Sequence, residues 1–249
     1  MIDLDVLTVG TGLAIALGAG LLSGLSGFGA GLMLSAYLTP VLGTKLTIPA
    51  LAVAMVLTNA GRLWAFRGNV DGRIAALVLV GSIPGAWLGA ALLAKMSDLA
   101  ADLVLAVFLI LSIPIRRLIA HRTAQMSSPV VLLGAATVGA ASGITTGAGI
   151  LLLPLLLGAG LAGPTLLATD STVSLLLNVG RSIAFGSVGL IDWPLLAFGV
   201  AMGVATIPGS QIAAWIVRRT SVRLHTLFLE VLILGVGVYV ASRAVGRLI

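Results

Sequence analysis

Long apolar stretches separated by short polar linkers dominate the chain, and the first of them holds a cluster of glycines. This stretch begins near Leu4 and ends near Leu42, and it is much longer than the about 20 residues that one helix needs to cross a membrane. Four glycines fall within the eight residues from Gly24 to Gly31, and each lowers helix propensity by about 1 kcal/mol relative to alanine. The pattern therefore predicts two helices that meet at a glycine- and serine-rich tip, within Ser23–Gly31.

A second segment, Ser142–Gly149, repeats this pattern later in the chain. Its apolar flanks, 129–141 and 150–157, are shorter than a membrane crossing. We expect both segments to form the tips of helical hairpins that enter the membrane and turn back near its middle. Irregular backbone at that depth is tolerated only where protein buries it or where it lines a cavity. Paired, interrupted segments of this kind point to a transporter's binding site.

The other apolar segments are each long enough to cross a membrane once. Three follow each hairpin: Leu46–Phe66, Ile74–Ala94, Leu99–Ile119, Thr165–Phe185, Pro194–Val217 and Leu224–Ala241. The most polar linker, residues 116–129, separates the two sets. The chain is therefore predicted to be an all-α polytopic membrane protein, with one transmembrane repeat at residues 1–122 and a second at 123–249.

An internal duplication supports this division. The segment Asn59–Phe66 matches Asn178–Phe185 at a constant separation of 119 residues (178 − 59 and 185 − 66), and Ile83-Pro84-Gly85 matches Ile207-Pro208-Gly209. A hairpin plus three spans gives each half an odd number of crossings, so we expect the second repeat to be inverted. The excess of basic residues beside the mid-chain linker agrees with a cytoplasmic linker. The alternative counts each broken hairpin as one crossing and gives a parallel repeat.

Composition excludes several classes of function. The 249 residues are 59% hydrophobic and 9% charged, with a mean hydropathy of +1.19, which excludes a soluble domain. The absence of cysteine excludes thiol chemistry and disulfides, and two histidines do not favour a metal site. The sequence contains no phosphate-binding loop, so we expect neither ATP use nor enzyme activity. The formal charge of +6 is weak evidence for an anionic ligand, because part of it reflects topology.

Two duplicated pairs carry the strongest candidate chemistry: Asn59 with Arg62, and Asn178 with Arg181. An arginine near a helix end can reach the lipid headgroups or bind carbonyls of a hairpin. Its planar group also donates two parallel hydrogen bonds to an oxyanion, and the duplication of the surrounding residues favours this role. The two asparagines suit either hydrogen bonding between helices or donation to the same anion.

The hairpin tips are the second candidate. The N-terminal end of each returning half-helix carries unpaired amides and a partial positive charge, which suit an anion. Close helix packing through small residues is the alternative explanation. The candidate binding residues of the tips are Ser23, Gly24, Ser26, Gly27, Gly29, Ser142, Gly143, Thr145, Thr146 and Gly147.

Two carboxylates are candidates for proton coupling. Asp170 lies early in a predicted span, and Leu51 stands at the matching position of the first half. A carboxylate within the membrane suggests function, although an acid near a helix start can also complement the helix dipole. Glu230 could instead pair with an interior arginine, or with His225 on the same helical face.

The tips Ser-Gly-Leu-Ser-Gly-Phe-Gly-Ala-Gly and Ser-Gly-Ile-Thr-Thr-Gly-Ala-Gly-Ile resemble those of the TauE/SafE family of sulfite exporters, which is similar to 4-toluene sulfonate uptake permeases. The chain length, the basic linker and the later Ile-Pro-Gly elements fit as well, and the resemblance covers roughly residues 10–245. It implies a secondary transporter that moves sulfite, sulfoacetate or other organosulfonates across the inner membrane, with export and proton coupling as the expected mode. A passive anion channel, a carrier of another small organic anion and a membrane scaffold without transport are the alternatives.

The expected partners are a small sulfur-containing anion and the lipid bilayer. We expect no cofactor, no metal and no nucleic acid. A homodimer is one option for the oligomeric state.

Overall fold

The computed structural model describes residues 6–26, 29–66, 68–120 and 125–217, together with the single positions 238 and 242. This part of the chain is helical throughout, with short connections. Its helices are α1 (Val6–Ser26), α2 (Gly29–Leu42), α3 (Thr44–Phe66), α4 (Gly72–Lys95), α5 (Asp98–Ala120), α6 (Ser128–Ile144), α7 (Gly149–Gly158), α8 (Gly163–Ser187) and α9 (Trp193–Val217). The predicted spans in this region are confirmed as helices, and the predicted span at 224–241 lies outside the described residues.

Helices α3, α4, α5 and α9 are long and apolar enough to cross a membrane. Large apolar side chains point outward from them and from the neighbouring helices; Val80 is 67% exposed and Leu133 is 69% exposed. The side chains buried inside the bundle include many polar ones, such as Asn59, Asp170 and Asn178. A bundle with an apolar outside and a polar inside is typical of a multi-pass membrane protein, because lipid replaces water as the solvent of its surface.

Two pairs of consecutive helices, α1 with α2 and α6 with α7, form hairpins. The hydroxyls of Thr11 and Tyr37 are hydrogen-bonded, so the start of α1 lies beside the end of α2. In the second pair, the Met126 N–H donates to the Gly158 carbonyl at 2.7 Å, and this bond joins the start of α6 to the end of α7. Each hairpin therefore returns to the end of the bundle from which it started.

The break in the second hairpin is shorter than the sequence suggests. Helix α6 continues to Ile144, so Ser142 and Gly143 belong to its last turn. The prediction that they form part of the irregular tip is wrong. The tip itself consists of residues 145–148. Gly147 has φ +84°, a conformation that residues with a side chain rarely adopt. The helix persists to Ile144 because Gly143 packs directly against the backbone of α4.

Each hairpin packs against a helix from the other half of the chain. Gly20 of α1 lies so close to α9 that a Cβ atom there would overlap the Thr206 carbonyl, and Gly139 of α6 lies equally close to the Ser82 carbonyl of α4. Small residues permit such close approach of helices within membranes. The two contacts correspond to each other, because Gly20 and Gly139 are also 119 residues apart (139 − 20).

The two hairpins enter the bundle from opposite ends. Helix α1 runs parallel to α9, and α6 runs parallel to α4, as the glycine contacts along each pair show. Helix α3 also runs parallel to α9, since Gly199 faces Val53 and Gly203 faces Leu57. The chain then reverses between Phe66 and Gly72, so α4 runs opposite to α3 and α9. The tip of the second hairpin meets the start of α2 inside the bundle, where the Thr146 hydroxyl lies 3.5 Å from the Gly31 carbonyl.

Candidate functional site

A cavity of about 70 Å³ lies where α1, the start of α2 and the tip of the second hairpin meet helices α3 and α8. On this measure a cavity that holds one water molecule needs about 10–15 Å³, so the space is large enough for a small ligand. Its polar lining consists of Ser23, Asn59, Arg62, Ser142, Thr146, Asp170, Ser174, Asn178 and Arg181. Gly31, Gly147 and Gly149 contribute backbone to the wall.

Helices α3 and α8 supply the two duplicated pairs, and each pair has the same internal geometry. On α3, Nη1 of Arg62 donates to Oδ1 of Asn59 at 3.1 Å; on α8, Nη1 of Arg181 donates to Oδ1 of Asn178 at 2.8 Å. Residues three apart lie on one face of a helix, so each asparagine orients the arginine that follows it. The spacing Asn-x-x-Arg thus places two guanidinium groups on the cavity wall.

The two arginines differ in their remaining contacts. Nη2 of Arg62 forms an ion pair with Oδ2 of Asp170 at 2.6 Å, the only ion pair within the part of the chain that the structure describes. Nη2 of Arg181 donates to the carbonyl of Thr145 at 3.3 Å. Its guanidinium carbon lies 5.7 Å from the centre of the Phe185 ring. These partners of Arg181 are neutral, so among the described residues its charge has no carboxylate beside it.

Both guanidinium groups are buried in the bundle. Arg62 is 6% exposed and Arg181 is 7% exposed, and this burial inside the bundle does not favour snorkelling. Arg181 instead binds a hairpin carbonyl, as the second structural alternative expects. Nε of Arg181 is buried and has no hydrogen-bond partner among the described atoms. A buried charge is stable only when it is paired and hydrogen-bonded. Arg181, which lines the cavity, thus has a buried donor without a partner and a charge without a carboxylate among the described residues.

The tip of the second hairpin adds backbone to the same wall. Helix α7 begins at Gly149, and the amides of Ile150, Leu151 and Leu152 in its first turn donate to the carbonyls of Gly147 and Ala148 in the tip. Those amides carry the partial positive charge of the helix N-terminus, and Gly149 borders the cavity. A Cβ atom at Gly147 would lie 2.8 Å from Cδ2 of Leu32, so this glycine is required by both its backbone conformation and its contact with the first hairpin.

Several predicted residues have other roles or lie elsewhere. Gly143 contacts the backbone of α4 and does not line the cavity, and Gly29 is buried without lining it. The Thr145 hydroxyl donates to the Ala141 carbonyl, so only its backbone oxygen contacts Arg181. Among the remaining predictions, Gly24 and Ser26 belong to α1, whereas Gly27 and Glu230 lie outside the described residues.

Several residues that line the cavity were not among the predicted site residues. Met55 and Ser174 each lie four residues before one of the asparagines, so helical periodicity alone would have placed them on the same face. Leu51 lines the cavity from the position that matches Asp170 in the duplication. No group of three histidine, cysteine, aspartate or glutamate side chains within the described ranges is arranged to hold a metal.

Comparison with known proteins identifies the family of the chain. The family model for the sulfite exporter TauE/SafE matches residues 12–240. Comparisons with curated proteins and with solved structures return no significant match. Because the match covers nearly the whole chain and both hairpins, the chain belongs to the TauE/SafE sulfite exporter family, a family of transporters.

Proposed function

We propose that this protein is a secondary transporter that exports sulfite or a related sulfur-containing anion, such as an organosulfonate, across the inner membrane. The observation that carries the proposal is Arg181, a buried guanidinium on the cavity wall without a carboxylate among the described residues. An anion in the cavity would supply the missing negative charge. Membership of the sulfite exporter family supports the choice of a sulfur oxyanion.

The surrounding donors suit an oxyanion that must also be released. Nε of Arg181 lacks a hydrogen-bond partner, and a guanidinium group matches the geometry of two oxyanion oxygens. The N-terminus of α7 contributes a partial charge of about half an elementary charge. A site built from one full charge and several weaker donors holds an anion less tightly than two dry ion pairs would, and this favours turnover.

Asp170 is our candidate for proton coupling. It is 3% exposed, lines the cavity and contacts Arg62. A proton on this carboxylate would remove the ion pair and leave Arg62 available to a second negative charge, so protonation and binding of a dianion such as sulfite would be linked. Asp170→Asn should therefore abolish accumulation driven by a pH gradient but retain exchange of substrate between the two sides. Normal accumulation by this variant would make Asp170 a structural residue.

We further propose that two inverted repeats provide alternating access to this cavity. The proposal is supported by the paired contacts of Gly20 with Thr206 and Gly139 with Ser82, and by hairpins that enter from opposite ends. Since the chain lacks cysteine, the variants Val70→Cys and Ile191→Cys can each be labelled with an impermeant thiol reagent. They should react from opposite sides of the membrane. Labelling from one side would favour a parallel repeat.

Flux measurements in proteoliposomes test the transport function. Wild-type protein should move sulfite, and a proton gradient should drive its accumulation. Arg181→Gln should abolish this flux, whereas Arg73→Gln, which removes an exposed arginine outside the cavity, should leave it unchanged. Flux without accumulation would favour a passive channel, and equal flux in the two variants would contradict the proposed site.

A further inference from the structure

The charges on the cavity wall determine which anions can bind without leaving a buried charge. Among the described residues, the wall carries the guanidinium groups of Arg62 and Arg181 and the carboxylate of Asp170. No other described side chain on the wall is charged. Two positive groups and one negative group leave a single positive charge, which one negative charge from a ligand would balance.

We propose that the site selects anions by charge and binds monoanions in preference to dianions of the same shape. This inference rests on the transport function proposed above and specifies its substrate class. Asp170 acts as a built-in anion, because it already occupies Nη2 of Arg62 at 2.6 Å. A dianion would leave one negative charge unbalanced in a buried site, and a buried unbalanced charge is strongly unfavourable.

The cavity has room for compact members of this class. Its volume of about 70 Å³ is several times the about 10–15 Å³ that one water molecule needs on the same measure. Hydrogensulfite and short alkyl sulfonates meet both conditions, since each has one negative charge on a compact sulfur oxyanion. Sulfoacetate carries two charges, so the inference excludes it from this state of the protein.

A dianion can bind only if the wall gains one positive charge. Protonation of Asp170 is the route within the described lining, because it is the lining's only carboxylate. It would free Arg62 for the ligand, so that each additional negative charge on the substrate is accompanied by one proton. The charge of the substrate would then fix the number of protons taken up with it.

Methanesulfonate and sulfate form a matched pair of probes. Both are tetrahedral, and they differ mainly in that a methyl group replaces one charged oxygen. Isothermal titration calorimetry at neutral pH and low salt should give an affinity for methanesulfonate at least about tenfold higher than for sulfate. Asp170→Asn should lower this ratio at least about tenfold, because the amide keeps the shape of the carboxylate and removes its charge.

Two control variants separate this inference from the transport function. Asp102→Asn removes a buried carboxylate of α5 that does not line the cavity, and it should leave the ratio unchanged. Arg181→Gln should abolish binding of both probes. If neither probe binds the wild type, the proposed function itself fails. If Arg181→Gln abolishes binding but the wild type binds sulfate as tightly as methanesulfonate, only the selection by charge is wrong.

Proton uptake provides a second measurement that does not depend on the folding of Asp170→Asn. Titrations of the wild type in buffers with different heats of ionisation report the protons taken up with each ligand. Sulfate binding should take up about one proton more than methanesulfonate binding, as expected for linked protonation and ligand binding. Sulfate binding without extra proton uptake would overturn the inference.

Discussion

The pair Asn59–Arg62 and the pair Asn178–Arg181 are built alike but have opposite electrostatic environments. In both, an asparagine one turn earlier accepts a hydrogen bond from Nη1 of the arginine. Arg62 then contacts Asp170, whereas Arg181 contacts the Thr145 carbonyl. The local sequence therefore fixes where each guanidinium lies, and a residue from the other half decides whether its charge is balanced.

The duplication shows how this difference arises from one position. Asp170 matches Leu51 at the separation of 119 residues (170 − 51). The residues that match Arg62 and Asp170 in the duplication are Arg181 and Leu51. Leucine cannot balance the charge of an arginine. Both residues line the cavity and both are buried. The matching positions of the two halves thus carry a carboxylate in the second half only.

The largest effect is expected for the stability of the two arginine variants. Arg62→Gln leaves Asp170 buried without its partner, and the loss of one member of a buried pair costs about 3–5 kcal/mol. Arg181→Gln leaves no described carboxylate unpaired, so its unfolding temperature should be close to that of the wild type or higher. Thermal unfolding in detergent measures both, and Arg62→Gln/Asp170→Asn should recover most of the loss. Equal destabilisation by the two single variants would contradict the comparison.

The helices and the breaks between them could be predicted from the sequence because they depend on local properties. Apolar length defines a span, and clustered glycines exclude a continuous helix. The exact break could not be predicted, because it depends on packing across the molecule. Gly143 remains helical since it lies against α4, and this contact joins segments that are far apart in the chain.

The sequence predicts the charged residues of the site but not which of them form an ion pair. Arg62, Arg181 and Asp170 could be identified as intramembrane charges, yet Arg62 and Asp170 are 108 residues apart in the chain. The pairing of Glu230 with an interior arginine stays a prediction, because Glu230 lies outside the described residues, whereas Arg62 pairs with Asp170. Only the fold, which places the end of α3 beside the start of α8, brings these two residues together.

A second prediction concerns a variant in which both arginines have a carboxylate nearby. Leu51→Asp should place a carboxylate near Arg181, as Asp170 lies near Arg62, and so remove the unbalanced charge. Affinity for methanesulfonate should then fall by more than about hundredfold, whereas the uncharged Leu51→Asn should retain more of it. The new pair can be verified by a double-mutant cycle, since Leu51→Asp should destabilise the protein more when Arg181 is replaced by glutamine. Unchanged affinity in a folded Leu51→Asp protein would show that Arg181 does not attract the anion.

A smaller difference is expected between the two asparagines. Asn178→Ala removes the side chain that orients Arg181, and a hydrogen bond to a charged group contributes about 1.5–3 kcal/mol. Affinity for methanesulfonate should fall by about tenfold or somewhat more. Asn59→Ala should reduce it less, because Asp170 still holds Arg62 at 2.6 Å. Calorimetry on both variants tests the order, and a larger loss from Asn59→Ala would reverse the roles assigned to the two pairs.

The smallest effect concerns the volume of the cavity at the tip of the first hairpin. Gly31 lines the cavity, and a Cβ atom there would meet the Thr146 hydroxyl at 3.5 Å, which is an ordinary contact. Gly31→Ala should therefore fold normally while its methyl group narrows the space for the anion. We expect an affinity about threefold to tenfold lower for methanesulfonate. Gly61→Ala is the matched control, because a Cβ atom there meets nothing within 4 Å, and it should bind like the wild type.

Gly31 is a better position for this test than Gly147, since valine at Gly147 would disturb a backbone with φ +84° and the contact with Leu32. Wild-type affinity in Gly31→Ala would move the bound anion away from the first hairpin and toward α8, leaving Arg181 as its main contact.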